Sequence, residues 1–421
     1  MFKDRLRVEV VLWLAIIMVL AYMDRSNFAV AAPIIMKEFG INAAQLGIIF
    51  SAFTAGYMVV NFPGGFIAER FGARFVLAGV IFLWSVMTIG TAYAWSFMSL
   101  LVIRVIFGMC EGPMIPATTK IVSMWVTPKE RGMASGLWMA AIPVGAMIGN
   151  AFSGIIVTVW GWHSVFYIFG ILGFLFAYLT WRIIRNHPEE HPKITKEEID
   201  VIKTGIVKHE GVARLAESST VSQLLRNPWM WLISIIYVCD IMLFWANLSW
   251  LPTYFVMARG SSVLKSGFIS AVPWIAGAVG AFAMGWLSDH FGKIRGVWLA
   301  VGLFVIAPFI AYATIAPSLE ACLACFVIAI FFNVGCTGLM FAVPMEVFPV
   351  ADVAKVSGIM LGFGSISGII APSLVGFVVQ YTHSFNAAYY VFAILSLLGG
   401  LLSLALVKKE KGVYRQREAI N

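Results

Sequence analysis

The sequence has little charge. Only 12% of its 421 residues are Asp, Glu, Lys or Arg, and 61% are hydrophobic. That is about half the charge share of a soluble domain, so a water-soluble globular protein is excluded. Long polar stretches are scarce as well, with a single one over residues 186–227. There are five cysteines, at 110, 239, 322, 325 and 336, all inside apolar runs. A disulfide framework is thereby excluded, and the CxxC at Cys322 and Cys325 reads as two small buried apolar residues. No nucleophile–base set, metal-ligand cluster or phosphate-binding glycine loop occurs, so no catalytic residue, no metal and no cofactor beyond a coupling proton is expected. Strand-like alternation is also missing, which rules out a membrane β-barrel.

What the sequence does have is long apolar runs. Runs of 18 or more such residues read as membrane-spanning helices. Twelve are predicted, over about 8–33, 43–67, 75–94, 97–122, 133–158, 164–185, 229–256, 266–288, 296–314, 319–344, 356–379 and 386–407. The expected fold class is an all-α membrane protein of twelve transmembrane helices. The net charge of +8 follows from placement rather than from a nucleic-acid partner. With the N-terminus inside, 23 of the 29 Lys and Arg fall in cytoplasmic segments. Lys37, Arg259 and Lys265 fall outside, while Arg25, Arg104 and Lys120 lie within helices. That asymmetry predicts cytoplasmic termini. The basic start and Ala29-Val30-Ala31 imitate a cleavable leader, but Asp24 and Arg25 interrupt its apolar region and removal would leave an odd number of helices. No cleavage is expected. Short loops, with no N-x-S/T site in those expected outside, read as a prokaryotic inner-membrane protein; the sequence says nothing of oligomeric state, and a monomer is the default expectation.

The polar stretch divides the chain into residues 1–185, a cytoplasmic linker over 186–227, and residues 228–421. The linker carries a short helix from about 195 to 208, capped by Thr195. The two halves repeat each other. GGFIAERFGARF follows the second helix and GWLSDHFGKIR the eighth, with Gly65 and Gly285 offset by 220 residues. Pro128 and Pro349, then Gly136 and Gly358, open the fifth and eleventh helices at offsets of 221 and 222. Parallel six-helix repeats with a binding site at the midplane are a transporter architecture.

These motifs resemble the major facilitator superfamily. Gly65, Glu69, Arg70, Gly72 and Arg74 look like its cytoplasmic loop signature, and Gly285, Asp289, Gly292 and Arg295 like the second copy. The resemblance gives both loops a gating role. Glu69 departs from the usual Asp but keeps the charge, so its contacts are expected to survive. YMDRSN in the first helix, RVIFGMCEGPMIPA in the fourth and SMWVTPKERGMASG entering the fifth resemble the anion:cation symporter family, which includes proton-coupled sugar-acid carriers.

The charges in the membrane core are few: Asp24, Arg25, Arg104, Glu111 and Asp240. An ionisable residue at the helix centre costs roughly 2.5–3.5 kcal/mol on an insertion scale, and such residues mark function by default. Asp24 and Arg25 are adjacent, so they point about 100° apart and do not face each other. Arg104 and Glu111 are two turns apart on one face, with Gly108 between them. The expectation is that Asp24 pairs with Arg104, leaving Arg25 free for an anion. A guanidinium forks onto a carboxylate with two hydrogen bonds. Burial disfavours a charged Glu111, while Arg104 favours it. Protonating Glu111 takes these four groups from neutral to +1, which favours an anion and couples the two ligands. The resemblance implies the same roles, with carboxylates carrying protons and Arg25 holding the substrate.

Tyr22 shares the face of Arg25, and by resemblance Tyr22 and Tyr57 bond substrate. The seventh helix has Trp245 at the 220 offset from Arg25 and no arginine, which points to a monocarboxylate. Asn247, Asn333, Thr337, Ser365 and Ser367 are candidates for substrate hydroxyls, and Trp245, Trp250 and Trp274 for a flat wall. Asp240 reads either as a second proton site or as a structural partner of the tenth or eleventh helix. The small-residue faces of the fifth and eleventh helices let neighbours approach closely. The function expected is a proton-coupled symporter importing a small organic anion, a sugar acid such as an aldonate or hexuronate, with the lipid bilayer and that anion as its partners. The rivals are a carrier of an aromatic, phthalate-like acid and a non-transporting sensor.

Overall fold

A computed structural model describes residues 5–128, 130–213, 219–292, 294–349 and 351–418. Among these residues the chain forms α-helices, one 3-10 turn and no strand. In the first half lie α1 (Arg5–Phe39), α2 (Ala43–Phe71), α3 (Ala73–Ala92), α4 (Phe97–Glu111), α5 (Met114–Trp125), α6 (Arg131–Trp160) and α7 (Trp162–Ile183). The polar stretch carries α8 (Lys196–Ala213) and α9 (Val221–Arg226). The second half holds α10 (Pro228–Met257), α11 (Val263–Phe291), α12 (Arg295–Ile315), α13 (Leu319–Met340), α14 (Val343–Val347), α15 (Val353–Thr382) and α16 (Phe385–Glu418).

Twelve spans among the described residues are long and apolar enough to cross a membrane. Several run past the apolar stretch that predicted them. α1 has 35 residues, about 52 Å at 1.5 Å per residue, against a hydrocarbon core of about 30 Å. The fourth span is not one continuous helix, because Pro113 has no N–H to continue the ladder. The linker helix is longer than expected and starts where predicted, with the Thr195 hydroxyl accepting the Glu198 N–H at 3.2 Å. α9 was not anticipated; Thr220 and Gln223 cap its start reciprocally.

The chain divides into two compact units, Met1–Ile41 with Ile48–Leu215, and Asn42–Gly47 with Ala216–Asn421. α8 therefore goes with the first unit and α9 with the second. Residues 214–218 of the expected linker, and the extreme termini of both expected bundles, lie outside the described residues. Helix pairing repeats between the units. α1 packs along α6 and α3 along α7 in the first, while α10 packs along α15 and α12 along α16 in the second. The first and fifth spans pair as the seventh and eleventh do, so the repeat read from the sequence is a repeat of packing.

Glycines set the spacing around the intramembrane charges. β-Carbons on Gly56 and Gly108 would run into the carbonyls of Val105 and Phe53, so α2 and α4 touch backbone to backbone. Gly145 and Gly149 do the same for α6 against α1. In the eleventh span, Gly364 lies against Tyr237, while Gly358 and Gly362 have open space beside them. Gly108→Val is expected to force α4 off α2 and cost about 1–3 kcal/mol. A fall of several degrees in the thermal unfolding midpoint, with weakened substrate binding, is the outcome to look for; an unchanged midpoint would refute the close contact.

Candidate functional site

Three helices of the first unit build the site. α1 presents Tyr22 and Arg25 on one face, α4 presents Glu111, and α2 brings Phe53, Tyr57 and Asn61. The Arg25 guanidinium lies over the rings of Tyr22, Phe53 and Tyr57, at 4.5, 5.0 and 5.2 Å from their centroids. Its Nε and Nη2 donate to Glu111 Oε1 at 3.0 and 2.5 Å. Both side chains are buried, and Glu111 Oε2 has no hydrogen-bond partner. The expectation of a free Arg25 is thus corrected. Arg104 turns away from Glu111, and a buried carboxylate without a cation would be costly, so Arg25 answers it.

Asn61 escaped the sequence reading. Its Nδ2 donates to the Tyr57 hydroxyl at 3.2 Å and to the Gly112 carbonyl at 3.1 Å. That carbonyl needs an outside donor because its helical partner would be Pro116, which has no N–H. The signal was present: a lone amide in an apolar run, one turn beyond Tyr57 on the same face.

Asp24 points elsewhere, as neighbours on a helix must. Its Oδ1 accepts from Asn27 Nδ2 at 3.3 Å, and its Oδ2 is buried without a hydrogen bond. The expected contact with Arg104 is not made. The Arg104 guanidinium stacks on Phe28, 3.8 Å from the ring centroid, with Phe107 at 5.4 Å. Asp24 still lies in the field of Arg104, and of Glu111 as well. The two arginines and two carboxylates therefore form one electrostatic set, with a single direct ion pair at Arg25–Glu111.

The second unit uses its polar residues on itself. Asp240 is buried and takes Asn333 Nδ2 at 2.7 Å on Oδ1 and the Thr337 hydroxyl at 2.6 Å on Oδ2. Asn333 and Thr337 were expected to meet substrate; here they tie α13 to α10 through Asp240. Asn247 is buried too, and its Oδ1 accepts the Tyr389 hydroxyl at 3.3 Å. Trp250 is fully buried and donates its indole N–H to the Pro372 carbonyl at 3.0 Å. Trp274 is buried against Phe244. Neither tryptophan offers a ring face to a ligand, because close-packed neighbours cover both. Ser365 bonds its own helix at the Leu361 carbonyl, 3.1 Å away, and Ser367 is buried.

The two loop signatures share a backbone feature and differ in their ion pairs. Gly72 has φ +84° and Gly292 φ +151°, conformations that favour glycine; each lets the chain turn between two helices. Gly65 and Gly285 have open space beside them. In the first copy Arg74 donates twice to the Trp181 carbonyl, at 3.0 and 2.7 Å, and its guanidinium lies 4.0 Å from that indole's centroid. Glu69 and Arg70 are exposed, and among the described residues Glu69 makes no ion pair. In the second copy Arg295 reaches both Asp289 and Glu346. An acid also stands at the start of the fifth span and another at the start of the eleventh. Glu130 takes Arg7 at 2.8 Å, and Arg7 also meets Glu198 of α8 at 3.3 Å. Asp352 takes the N–H and hydroxyl of Ser219, both at 2.7 Å. No cluster of metal-ligating side chains occurs among the described residues.

Comparison with known proteins gives this geometry a family. The hexuronate transporter of Bacillus subtilis (strain 168) is 30% identical over all of this chain and 98% of its own. The probable galactarate/D-glucarate transporter GarP of Escherichia coli (strain K12) is 29% identical over 98% of this chain and 97% of its own. Among solved structures, a bacterial homologue of the human lysosomal transporter Spinster, inward-facing and occupied, superposes with a TM-score of 0.73. It covers 98% of both chains at 19% identity, a likeness of fold. The chain also matches the Major Facilitator Superfamily over residues 14–345 and 278–420. Twelve membrane spans, a packing repeat of six and six, and these matches establish the chain as a member of the Major Facilitator Superfamily, a multi-pass membrane transporter and not an enzyme.

Proposed function

We propose that this protein is a proton-coupled symporter for a small organic anion, a sugar acid carrying one carboxylate at its anchored end. One observation carries the reading: the Glu111 carboxylate occupies the fork of Arg25, the position an anionic substrate would take. Protonating Glu111 weakens that ion pair and frees the guanidinium for an incoming carboxylate. Proton and anion then bind with positive coupling, the thermodynamic condition for symport. Tyr22 and Tyr57 flank the guanidinium and can bond the substrate's oxygens. Asp24, through its field, is a second proton acceptor in the same set. Transport of hexuronate and of galactarate/D-glucarate by relatives supports the sugar-acid class. The absence of Arg and Lys from α10 favours one anchored carboxylate over two. Alternating access of the two halves, an inner-membrane position with both termini cytoplasmic, and a monomeric carrier complete the proposal.

A thermal-shift panel of hexuronates, aldonates, aldarates and aromatic acids, run at an acidic and an alkaline pH, tests it. A ligand at a hundred times its Kd stabilises the folded state by about 2.7 kcal/mol. The expected result is a shift with monocarboxylate sugar acids that grows at acidic pH. One linked proton allows affinity to change by at most about tenfold per pH unit. A larger shift with aldarates would overturn the single anchor. A shift with aromatic acids alone would move the substrate class, and no shift with any acid would remove the anion reading.

A further inference from the structure

The last helix carries two stripes along its length. Phe392, Ser396, Gly399, Ser403, Leu406 and Glu410 are buried, and steps of three and four residues keep them on one face. That face belongs to the packing of α16 on α10 and α12. A β-carbon on Gly399 would lie 3.0 Å from Cys239 of α10. Glu410 Oε2 accepts the Gly296 N–H of α12 at 2.8 Å. The rotation of α16 is therefore fixed as far as residue 410.

The other stripe faces outward. Tyr390, Ile394, Leu397, Leu401 and Leu404 are exposed, again in steps of four and three. The next two steps are Lys408 and Lys411, which are exposed as well, and Arg415 holds the register position after them. One face thus passes from apolar to cationic without changing direction. Its apolar part can meet only lipid tails in a membrane-spanning helix. Length sets the depth. From Tyr390 to Lys408 and Lys411 the helix rises about 27 and 32 Å at 1.5 Å per residue, the thickness of a hydrocarbon core of about 30 Å. With Tyr390 at one interface, the two ammonium groups reach the headgroups of the other, their stems lying along the apolar stripe. Tryptophan marks the same level. Lys409 lies 5.3 Å from the Trp229 ring at the start of α10, and Trp231 beside it is exposed.

We propose that the outward face of α16 at Lys408 and Lys411 is a docking surface for the phosphate of an anionic phospholipid, apart from the Arg25–Glu111 site. Charge complementarity carries the choice of occupant. Residues 408–417 hold five cations and one acid, Glu410, and that acid is turned into the protein. Clusters of four to eight Lys and Arg beside a membrane helix suit an anionic leaflet. A topology signal needs only a number of cations in a loop. Here the anchor at Glu410 and the register of α16 aim two of them along the lipid-facing side. Lipid held there ties the end of the twelfth span to one leaflet.

The experiment uses the purified full chain without any sugar acid, so its outcome is independent of the substrate reading. Thermal unfolding midpoints are measured in detergent while phosphatidylglycerol, phosphatidylcholine or free glycerol phosphate is added. The expected result is a rise with phosphatidylglycerol that exceeds the rise with phosphatidylcholine, and none with glycerol phosphate. Lys408→Gln/Lys411→Gln should need about fivefold more phosphatidylglycerol for each lysine removed. Lys408→Arg/Lys411→Arg, which keeps both charges, should match wild type. Lys193→Gln/Lys196→Gln, at two exposed positions of the polar stretch, removes the same net charge and should match it too. Equal dependence on phosphatidylglycerol in wild type and Lys408→Gln/Lys411→Gln would overturn the proposal, as would an equal loss in Lys193→Gln/Lys196→Gln, which would make the effect one of bulk charge. Stabilisation by glycerol phosphate alone would replace the lipid by a free phosphate and overturn it as well. Should Lys408→Gln/Lys411→Gln not fold, salt reads the same contact in wild type. Raising it from about 50 to 500 mM shortens the screening length severalfold and should erase the preference for phosphatidylglycerol; a preference that survives would overturn the electrostatic docking.

Discussion

Replacing Arg25 is expected to abolish uptake. Among the described residues it is the cation seated on Tyr22, Phe53 and Tyr57, with its fork directed at a carboxylate. Removing one partner of a buried, hydrogen-bonded charge pair costs about 2–5 kcal/mol, roughly 30- to 4,000-fold in affinity. Arg25→Ala also strands Glu111 without its cation, so misfolding could imitate lost binding. Arg25→Lys separates the two. It keeps the charge that Glu111 needs but presents a point ammonium in place of a fork. We expect Arg25→Lys to fold with a near-normal unfolding midpoint and to bind at least about tenfold more weakly. Isothermal titration with the substrate found in the panel measures this directly. Normal affinity in Arg25→Lys would show that bidentate geometry is not what recognises the anion.

Glu111→Gln should uncouple rather than inactivate. Glutamine fills the same space and carries no titratable proton, and it leaves the Arg25 fork without an anion. Binding is expected to become tight and nearly independent of pH, where the wild type loses up to about tenfold per pH unit on the alkaline side. Exchange of labelled for unlabelled substrate across proteoliposomes should persist, because it needs no net proton movement. Accumulation against a gradient should be lost. If Glu111→Gln still concentrates substrate when driven by a proton gradient, the coupled proton rides elsewhere. Asp24, in the field of Glu111, and Asp240 are then next to be replaced. The two experiments are complementary: Arg25 governs whether the anion binds, and Glu111 governs whether binding is tied to a proton.

The second unit bears on what kind of acid is carried. Trp250 and Trp274 are buried, and Asn333 and Thr337 close off Asp240, so four sequence-level candidates for contact with substrate are committed to packing. That packing leaves half-buried Trp245 as the remaining candidate wall for an aromatic acid. It also separates Asp240 from Asp24 and Glu111. Both of its oxygens are hydrogen-bonded, while Asp24 and Glu111 each keep one oxygen without a partner.

Much of this protein was legible without its fold. Twelve spans, two halves and the charge-bearing residues follow from apolar run length, from a 220-residue offset and from the scarcity of charge, all local properties. That Asp24 and Arg25 face different ways follows from helical geometry alone, as does the shared face of Tyr22 and Arg25. The break at Pro113 was not read from the sequence, where the fourth span is one apolar run over 97–122 and other prolines sit inside unbroken helices.

Pairing was not legible. From spacing, Arg104 could answer Asp24 or Glu111, and nothing in a one-dimensional pattern says which arginine rotates toward which acid. Packing decides it. Phe28 from α1 lies under the Arg104 guanidinium, while the Arg25 guanidinium of the same helix meets Glu111 of α4. The same holds for Asn333, Thr337 and Trp250, whose residue types suit a ligand and a helix interface equally well. Only the neighbours brought up by α10, α13 and α15 determine that they serve the interface. The sequence by itself determined which groups can hold charge and protons within the membrane. The tertiary structure decided which of them meet, because a buried charge settles on whichever partner the packing of whole helices leaves within hydrogen-bond distance.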